Sequence, residues 1–180
     1  MARLTTLSLP IAWESLGLPT TPVFGGVTLI DGPVGWGWEP EAPELPIAVV
    51  EPVTGTSVEG WGVDHVVVLI DSVDETVETM ADIGLTPRLK MEVRGRPAVF
   101  FRAGPVIEAI TSPVRQSALY GVALVTDEPL ETVALRWRSM GHDVGDPGPA
   151  IQPGRRILTV RGMEAGLAVM SPDRQLADGG

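Results

Sequence analysis

Two stretches of this chain repeat one pattern of apolar and polar positions. In the first, residues 64–70 form a near-continuous apolar run, the pattern of a strand buried on both faces. Residues 72–83 then place Val73, Val77, Met80 and Ile83 at spacings of four, three and three, which marks one face of an amphipathic helix. Ser72 or Asp71 can cap its start, and Gly84 supplies a left-handed stop. Three strand candidates follow at 86–93, 97–102 and 105–111, separated by Arg94-Gly95-Arg96 and Ala103-Gly104. In the second stretch, a strand at 120–126 leads to a helix from 129 to 140, opened by Pro129 and stopped by Gly141. Segment 143–154 is so punctuated by Gly and Pro that its strand is short or irregular, and strands at 155–161 and 166–171 complete the set.

The two stretches align by landmarks as well as by pattern. Glu75-Thr76-Val77 lies ten residues after His65, and Glu131-Thr132-Val133 ten after Gly121. Each stretch ends on an apolar strand running into Ser-Pro, at Ser112-Pro113 and at Ser171-Pro172. An internal repeat of this kind predicts one structural unit used twice, so positions can be compared within the chain. The order is strand, helix, strand, strand, strand in both. The predicted organisation is an N-terminal extension at 1–60, a first unit at 61–115, a second at 118–173 and a loose tail at 174–180.

The extension differs in composition. It holds eight of the 17 prolines and three of the five tryptophans, Trp13, Trp36 and Trp38. Residues 27–30 and 47–50 read as short strands, and the Gly- and Pro-rich segment 32–40 between them as a loop. The expected structure is a long hairpin packed on the repeats without a core of its own.

Composition narrows the function. With 44% apolar residues the chain is that of a folded protein. Its formal net charge is −10, a field that repels nucleic acid and anionic membrane and suits neutral or cationic small ligands. There is no cysteine, so disulfides, thiolate metal sites and a cysteine nucleophile are excluded together. Nothing at the start reads as a signal peptide, and no run approaches the roughly 20 apolar residues of a membrane span, so a cytoplasmic protein is expected. The sequence holds no Gly-x-Ser-x-Gly elbow, no phosphate-cradling Gly-Lys-Ser/Thr loop and no His-Glu-x-x-His helix.

A twice-used β-α-β-β-β unit, opening with Asp64-His65-Val66-Val67-Val68 and closing its first copy with Ile107-Glu108-Ala109-Ile110, resembles the vicinal oxygen chelate superfamily of glyoxalases, bleomycin-resistance proteins and extradiol dioxygenases. The resemblance covers roughly residues 62–173. It implies an α+β fold in which the two units curl into a shared half-open barrel. It also implies that metal ligands would come from the first and last strand of each unit. On that basis His65 and Glu108 fall at the two ligand positions of unit one, a donor set that suits Zn, Ni, Fe or Mn. The matching positions of unit two are Gly121 and Ala168, which have no side chain able to bind a metal. A possible homodimer follows from the resemblance alone.

Three readings of His65 and Glu108 stand open: a mutually satisfying structural pair, a metal site, or a metal-free polar pair that contacts a ligand. In the last, with the pair in a closed apolar cavity, Glu108 is the candidate general base. Trp36 and Trp38 are candidates for an aromatic lid over the barrel mouth, for anchors of the extension, or for a subunit contact. Glu92 and Arg102 sit on middle strands where either could line the cavity. His142 reads as a solvated loop residue, Arg136 and Arg138 as flanks of a docked Trp137, and Arg94-Gly95-Arg96 and Arg155-Arg156 as turns. With only His65 and His142 available, a three-histidine metal site is impossible within one chain. The leading expectation is a glyoxalase- or bleomycin-resistance-like protein that binds a small molecule in the barrel, with no cofactor. The alternatives are a metal-dependent lyase, isomerase or epimerase using His65 and Glu108, and a structural or partner-binding protein.

Overall fold

A computed structural model describes residues 1–173; the tail expected at 174–180 lies outside the described residues. Five strands come from the extension: β1 (Arg3–Leu9), β2 (Pro22–Phe24), β3 (Val27–Asp31), β4 (Gly35–Glu39) and β5 (Thr56–Ser57), in the sheet order β4-β1-β3-β2-β5. The first unit supplies β6 (Trp61–Ile70), α1 (Val73–Asp82), β7 (Leu89–Val93), β8 (Arg96–Arg102) and β9 (Val106–Thr111). The second supplies β10 (Ala118–Thr126), α2 (Leu130–Ser139), two short pieces β11 (Asp143–Val144) and β12 (Gly148–Pro149), then β13 (Arg156–Arg161) and β14 (Gly166–Met170). These form one sheet in the order β11-β13-β14-β10-β6-β9-β8-β7, with β12 on β13. The architecture is α+β, and the two units make the half-open barrel of β-α-β-β-β folds.

Register relates the halves. In the first unit β6 runs parallel to β9 with His65 opposite Val106 and Val67 opposite Glu108. In the second, β10 runs parallel to β14 with Gly121 opposite Gly166 and Ala123 opposite Ala168. The units meet where β6 and β10 pair antiparallel, Val66 opposite Val122, with His65 facing Ala123 and Val67 facing Gly121 on either side. The positions matched in the sequence therefore occupy equivalent places in the sheet.

Alternation then sorts the two faces. Val66, Val68 and Ile70 of β6, Val99 and Phe101 of β8, and Ile107 and Ala109 of β9 are buried in the core with Met80 of α1. His65, Val67 and Leu69, with Phe100, Glu108 and Ile110, are only half-buried. These six therefore lie on the opposite face of the sheet from the core residues, and each keeps part of its surface exposed. Ser72 caps α1 by accepting the Glu75 N–H at 3.3 Å. On α2, Leu130, Val133, Ala134 and Trp137 are the buried face, while Arg136 and Arg138 lie in the last turn where the helix dipole favours cations.

The extension departs from the hairpin expected of it. It is a five-stranded sheet whose core runs into that of the barrel: Trp13 meets Phe24, Phe24 meets Trp61 and Trp61 stacks on Trp137, with ring centroids 5.8 to 6.3 Å apart. Segment 32–40 contains strand β4 rather than only a loop. Its glycines serve close approach: a Cβ on Gly35 would come within 2.8 Å of Ala48 O, and one on Gly37 within 2.9 Å of Val50 O. Residues 47–50, expected as a strand, make one bridge, Trp36 to Val49.

Candidate functional site

Two strands of the first unit bring the polar pair together. His65 on β6 and Glu108 on β9 stand diagonally across a parallel ladder, so both side chains leave the sheet on its inner face. His65 Nε2 and Glu108 Oε2 are 3.2 Å apart, and each side chain is 13% exposed.

A bulge adds a third group. Between the pairs His65–Ala123 and Val63–Leu124 the register skips Asp64, leaving it as an extra residue on β6. Consecutive strand residues ordinarily point to opposite faces. Here Asp64 Oδ2 lies 2.8 Å from His65 Nδ1. The fourth group comes from the second unit: Arg155 Nη2 donates to Asp64 Oδ1 at 2.6 Å, and Arg155 Nε donates to Ser171 O at 3.0 Å. Arg155 is 9% exposed and Asp64 17%, so this ion pair is poorly screened. The result is one line of contacts, Arg155 to Asp64 to His65 to Glu108.

The two carboxyls at its ends behave differently. Burial alone would raise the Asp64 pKa, but hydrogen bonds from His65 and Arg155, with their charges, outweigh it and hold the carboxyl below its ordinary value. Burial pushes Glu108 up, against the charges of His65 and Arg94. Asp64 is therefore an ionised acceptor, and Glu108 holds its proton more tightly than an exposed glutamate does. Glu108 meets His65 through Oε2, and its side chain keeps 13% of its surface exposed.

The donor set does not fit a metal held by both units. Asp64 and Glu108 flank opposite nitrogens of one imidazole, so they cannot converge on one ion with it. Among the described residues no group of three His, Cys, Asp or Glu side chains is placed to hold a metal. Gly121 is closed to any side chain, because a Cβ there would overlap Gly166 O and lie 2.6 Å from Gly166 Cα. Ala168 offers only a methyl group. His65 and Glu108 remain as two ligands, fewer than the three or four of ordinary sites.

A shallow cleft of about 410 Å³ reaches this line at Asp64 and Arg155, bounded by Trp61, Val125 and Asp127; His65 and Glu108 do not line it. A second bulge, at Tyr120 of β10, occupies the position equivalent to Asp64. The Tyr120 ring lies over Gly166 and is 54% exposed.

Other sequence candidates are placed elsewhere. Trp36 and Trp38 form no lid: they are 0% and 7% exposed, packed edge to face at 5.2 Å in the extension's own core. Alternation in β4 turns both rings inward, and that burial overturns the lid expectation. Glu92 and Arg102 are exposed. His142 approaches Ser15 O at 2.7 Å and so ties the second unit to the extension. Arg136 grips Glu128 with two hydrogen bonds, and Glu128 accepts one from Trp61 Nε1. Sequence reasoning missed Asp64 and Arg155. Asp64 carried a signal, as the one charged residue beside His65 in an apolar run; Arg155, in a Pro-Gly turn, carried none.

No protein-family model and no curated protein matches this sequence. Solved structures do resemble it. Methylmalonyl-CoA epimerase from Mycobacterium tuberculosis is similar with a TM-score of 0.53 at 16% identity, over 64% of this chain and 91% of that one. A hypothetical protein from Bacillus halodurans has a TM-score of 0.53 at 14% identity, over 64% and 96%. At such identities the likeness is one of fold alone, and it extends over the sheet built from the two β-α-β-β-β units. No helix among the described residues is long and apolar enough to cross a membrane.

Proposed function

We propose that this chain binds a small molecule against the inner face of the half-barrel, with His65 and Glu108 as its polar contacts and without a complete metal site. The observation that carries the reading is the shielded pair itself. An imidazole and a carboxyl meet at 3.2 Å on a half-buried apolar face, and Gly121 and Ala168 supply nothing to complete a chelate. Val67, Leu69, Phe100 and Ile110 offer partly exposed apolar surface beside the pair, and the Glu108 carboxyl would accept a hydrogen bond from a ligand N–H or O–H. The net charge of −10 favours neutral or cationic ligands.

A second reading has one observation in its favour. Nε2 and Oε2, 3.2 Å apart, are close enough to ligate one divalent ion together, and a similar fold is that of a methylmalonyl-CoA epimerase. In that case the chain is a lyase, isomerase or epimerase, with His65 and Glu108 as the residues that would hold the ion.

Elemental analysis separates the two. Tag-free protein is analysed as purified and again after soaking in Ni, Zn, Mn or Fe. No retained metal, together with a thermal shift from a screened small molecule that Glu108→Gln abolishes, is the expected outcome. Near-stoichiometric metal lost in His65→Ala sinks the leading reading in favour of the second.

A further inference from the structure

The line of contacts crosses from one unit to the other, and its far end does something the polar pair cannot do for itself. An isolated His–Glu pair leaves the ring free to carry its proton on either nitrogen and to turn about its bond to Cβ. Here an ionised Asp64 accepts only, so the atom facing it, Nδ1, must donate. Asp64 is in turn held by Arg155, which is fixed twice, by its bond to Asp64 Oδ1 and by its Nε–H donated to Ser171 O at the end of β14. The main chain of Arg155 is also fixed, its N–H donating to Gln152 O at 3.2 Å and its carbonyl accepting from Ala150 N–H at 2.9 Å.

We propose that Asp64 and Arg155 are positioning residues: Arg155 of the second unit locks Asp64, and Asp64 fixes His65 with its proton on Nδ1, so that Nε2 is the atom presented to Glu108. A charged pair retained only for stability would be poorly explained, because shielded ion pairs rarely outperform apolar packing of the same volume. Its value lies in orientation, as a partner on the far nitrogen sets the tautomer and plane of a working imidazole. The second unit thus contributes to the site through a guanidinium, although its two matching strand positions contribute no ligand. The functional meaning of this arrangement rests on the reading of His65 and Glu108 as ligand contacts. The arrangement itself does not.

The chain has only two histidines, which makes the test direct. Full-length protein labelled with ¹⁵N-histidine gives side-chain signals from His65 and His142 alone, assigned with His142→Gln. His142 is an internal contrast, since its Nε2 faces the Ser15 carbonyl and must donate. The expected wild-type spectrum has a protonated Nδ1 on His65 and a protonated Nε2 on His142. Arg155→Met is expected to lose the uniform Nδ1–H signal of His65 and leave His142 unchanged. Should that variant fail to fold, Arg155→Gln, neutral but still able to hydrogen-bond, carries the same expectation. A wild-type His65 with a bare Nδ1 overturns the proposal outright. So does a folded Arg155 variant whose His65 signals are unchanged, because a purely structural ion pair would lower the melting temperature without moving the tautomer. No ligand enters the measurement, so its failure is distinct from failure to find one.

Discussion

Substituting Gly121 by alanine adds a single methyl group at the most crowded point of the sheet. The new Cβ would overlap Gly166 O and sit 2.6 Å from Gly166 Cα, and both obstacles are backbone. β14 cannot drift aside to make room, because β13 holds its other edge. Overpacking of a well-packed interior costs about 1–3 kcal/mol, and a clash with main chain belongs at the upper end, about 3 kcal/mol. In a protein of this size each kcal/mol moves the melting temperature by roughly 2–4 °C, so Gly121→Ala should melt roughly 6–12 °C below wild type. Two controls run beside it. Gly166→Ala would press on the Tyr120 ring at 2.6 Å, but that side chain is exposed and can swing away, so its cost should be smaller. Gly148→Ala meets nothing within 4 Å and should lie within about 0.5 kcal/mol of wild type. Calorimetric or circular-dichroism melts of the four proteins at one pH decide the matter. A Gly121→Ala protein that melts with wild type would refute the reasoning, since β10 and β14 could then separate. The position would become available to a ligating side chain, and a metal site shared by both units would be open again.

Three further outcomes follow from the same packing and charge. Trp36→Ala should cost about 3–5 kcal/mol in a chemical denaturation experiment, as a large buried ring does; a tolerated change would return Trp36 to the role of a lid. Glu108 has a folded pKa raised above its ordinary 4.5, so its ionised form costs stability above the folded value and the cost fades as pH falls. Glu108→Gln should therefore raise the melting temperature at neutral pH, and the gain should shrink in acid; a variant less stable than wild type at pH 7 would contradict this. Asp64 runs the other way: its folded pKa lies below 3.8, so its contribution is present above that value and is lost as pH falls through the folded one. Asp64→Asn should be less stable than wild type at neutral pH, with the gap closing in acid, and a pH-independent gap would count against the ion pair as its source.

The barrel was legible in the sequence because its signals are local and strong. The spacing of Val73, Val77, Met80 and Ile83 with Ser72 before them and Gly84 after them leaves little but a helix, and α1 spans Val73–Asp82. The extension was less legible for two physical reasons. β1 loses its alternation because the register shifts between Leu4 and Thr6, so the apolar phase changes inside one strand. β4 is hidden by Gly35 and Gly37, which serve close chain approach rather than turning. At the site, His65 and Glu108 were legible through the repeat. Asp64 as its neighbour was not, because without the bulge Asp64 and His65 would point to opposite faces. Arg155 comes from 91 residues away and meets Asp64 only in the finished fold.

That separation also says how the chain must be made. A fragment ending after β9 would contain His65, Glu108 and Asp64, yet leave Asp64 without its counter-ion and β6 with a bare edge where β10 belongs. The half-barrel is therefore not two modules that happen to touch. Each half covers a strand edge of the other, β10 closing β6 and β6 closing β10, and the ion pair of Asp64 with Arg155 joins the two across that seam.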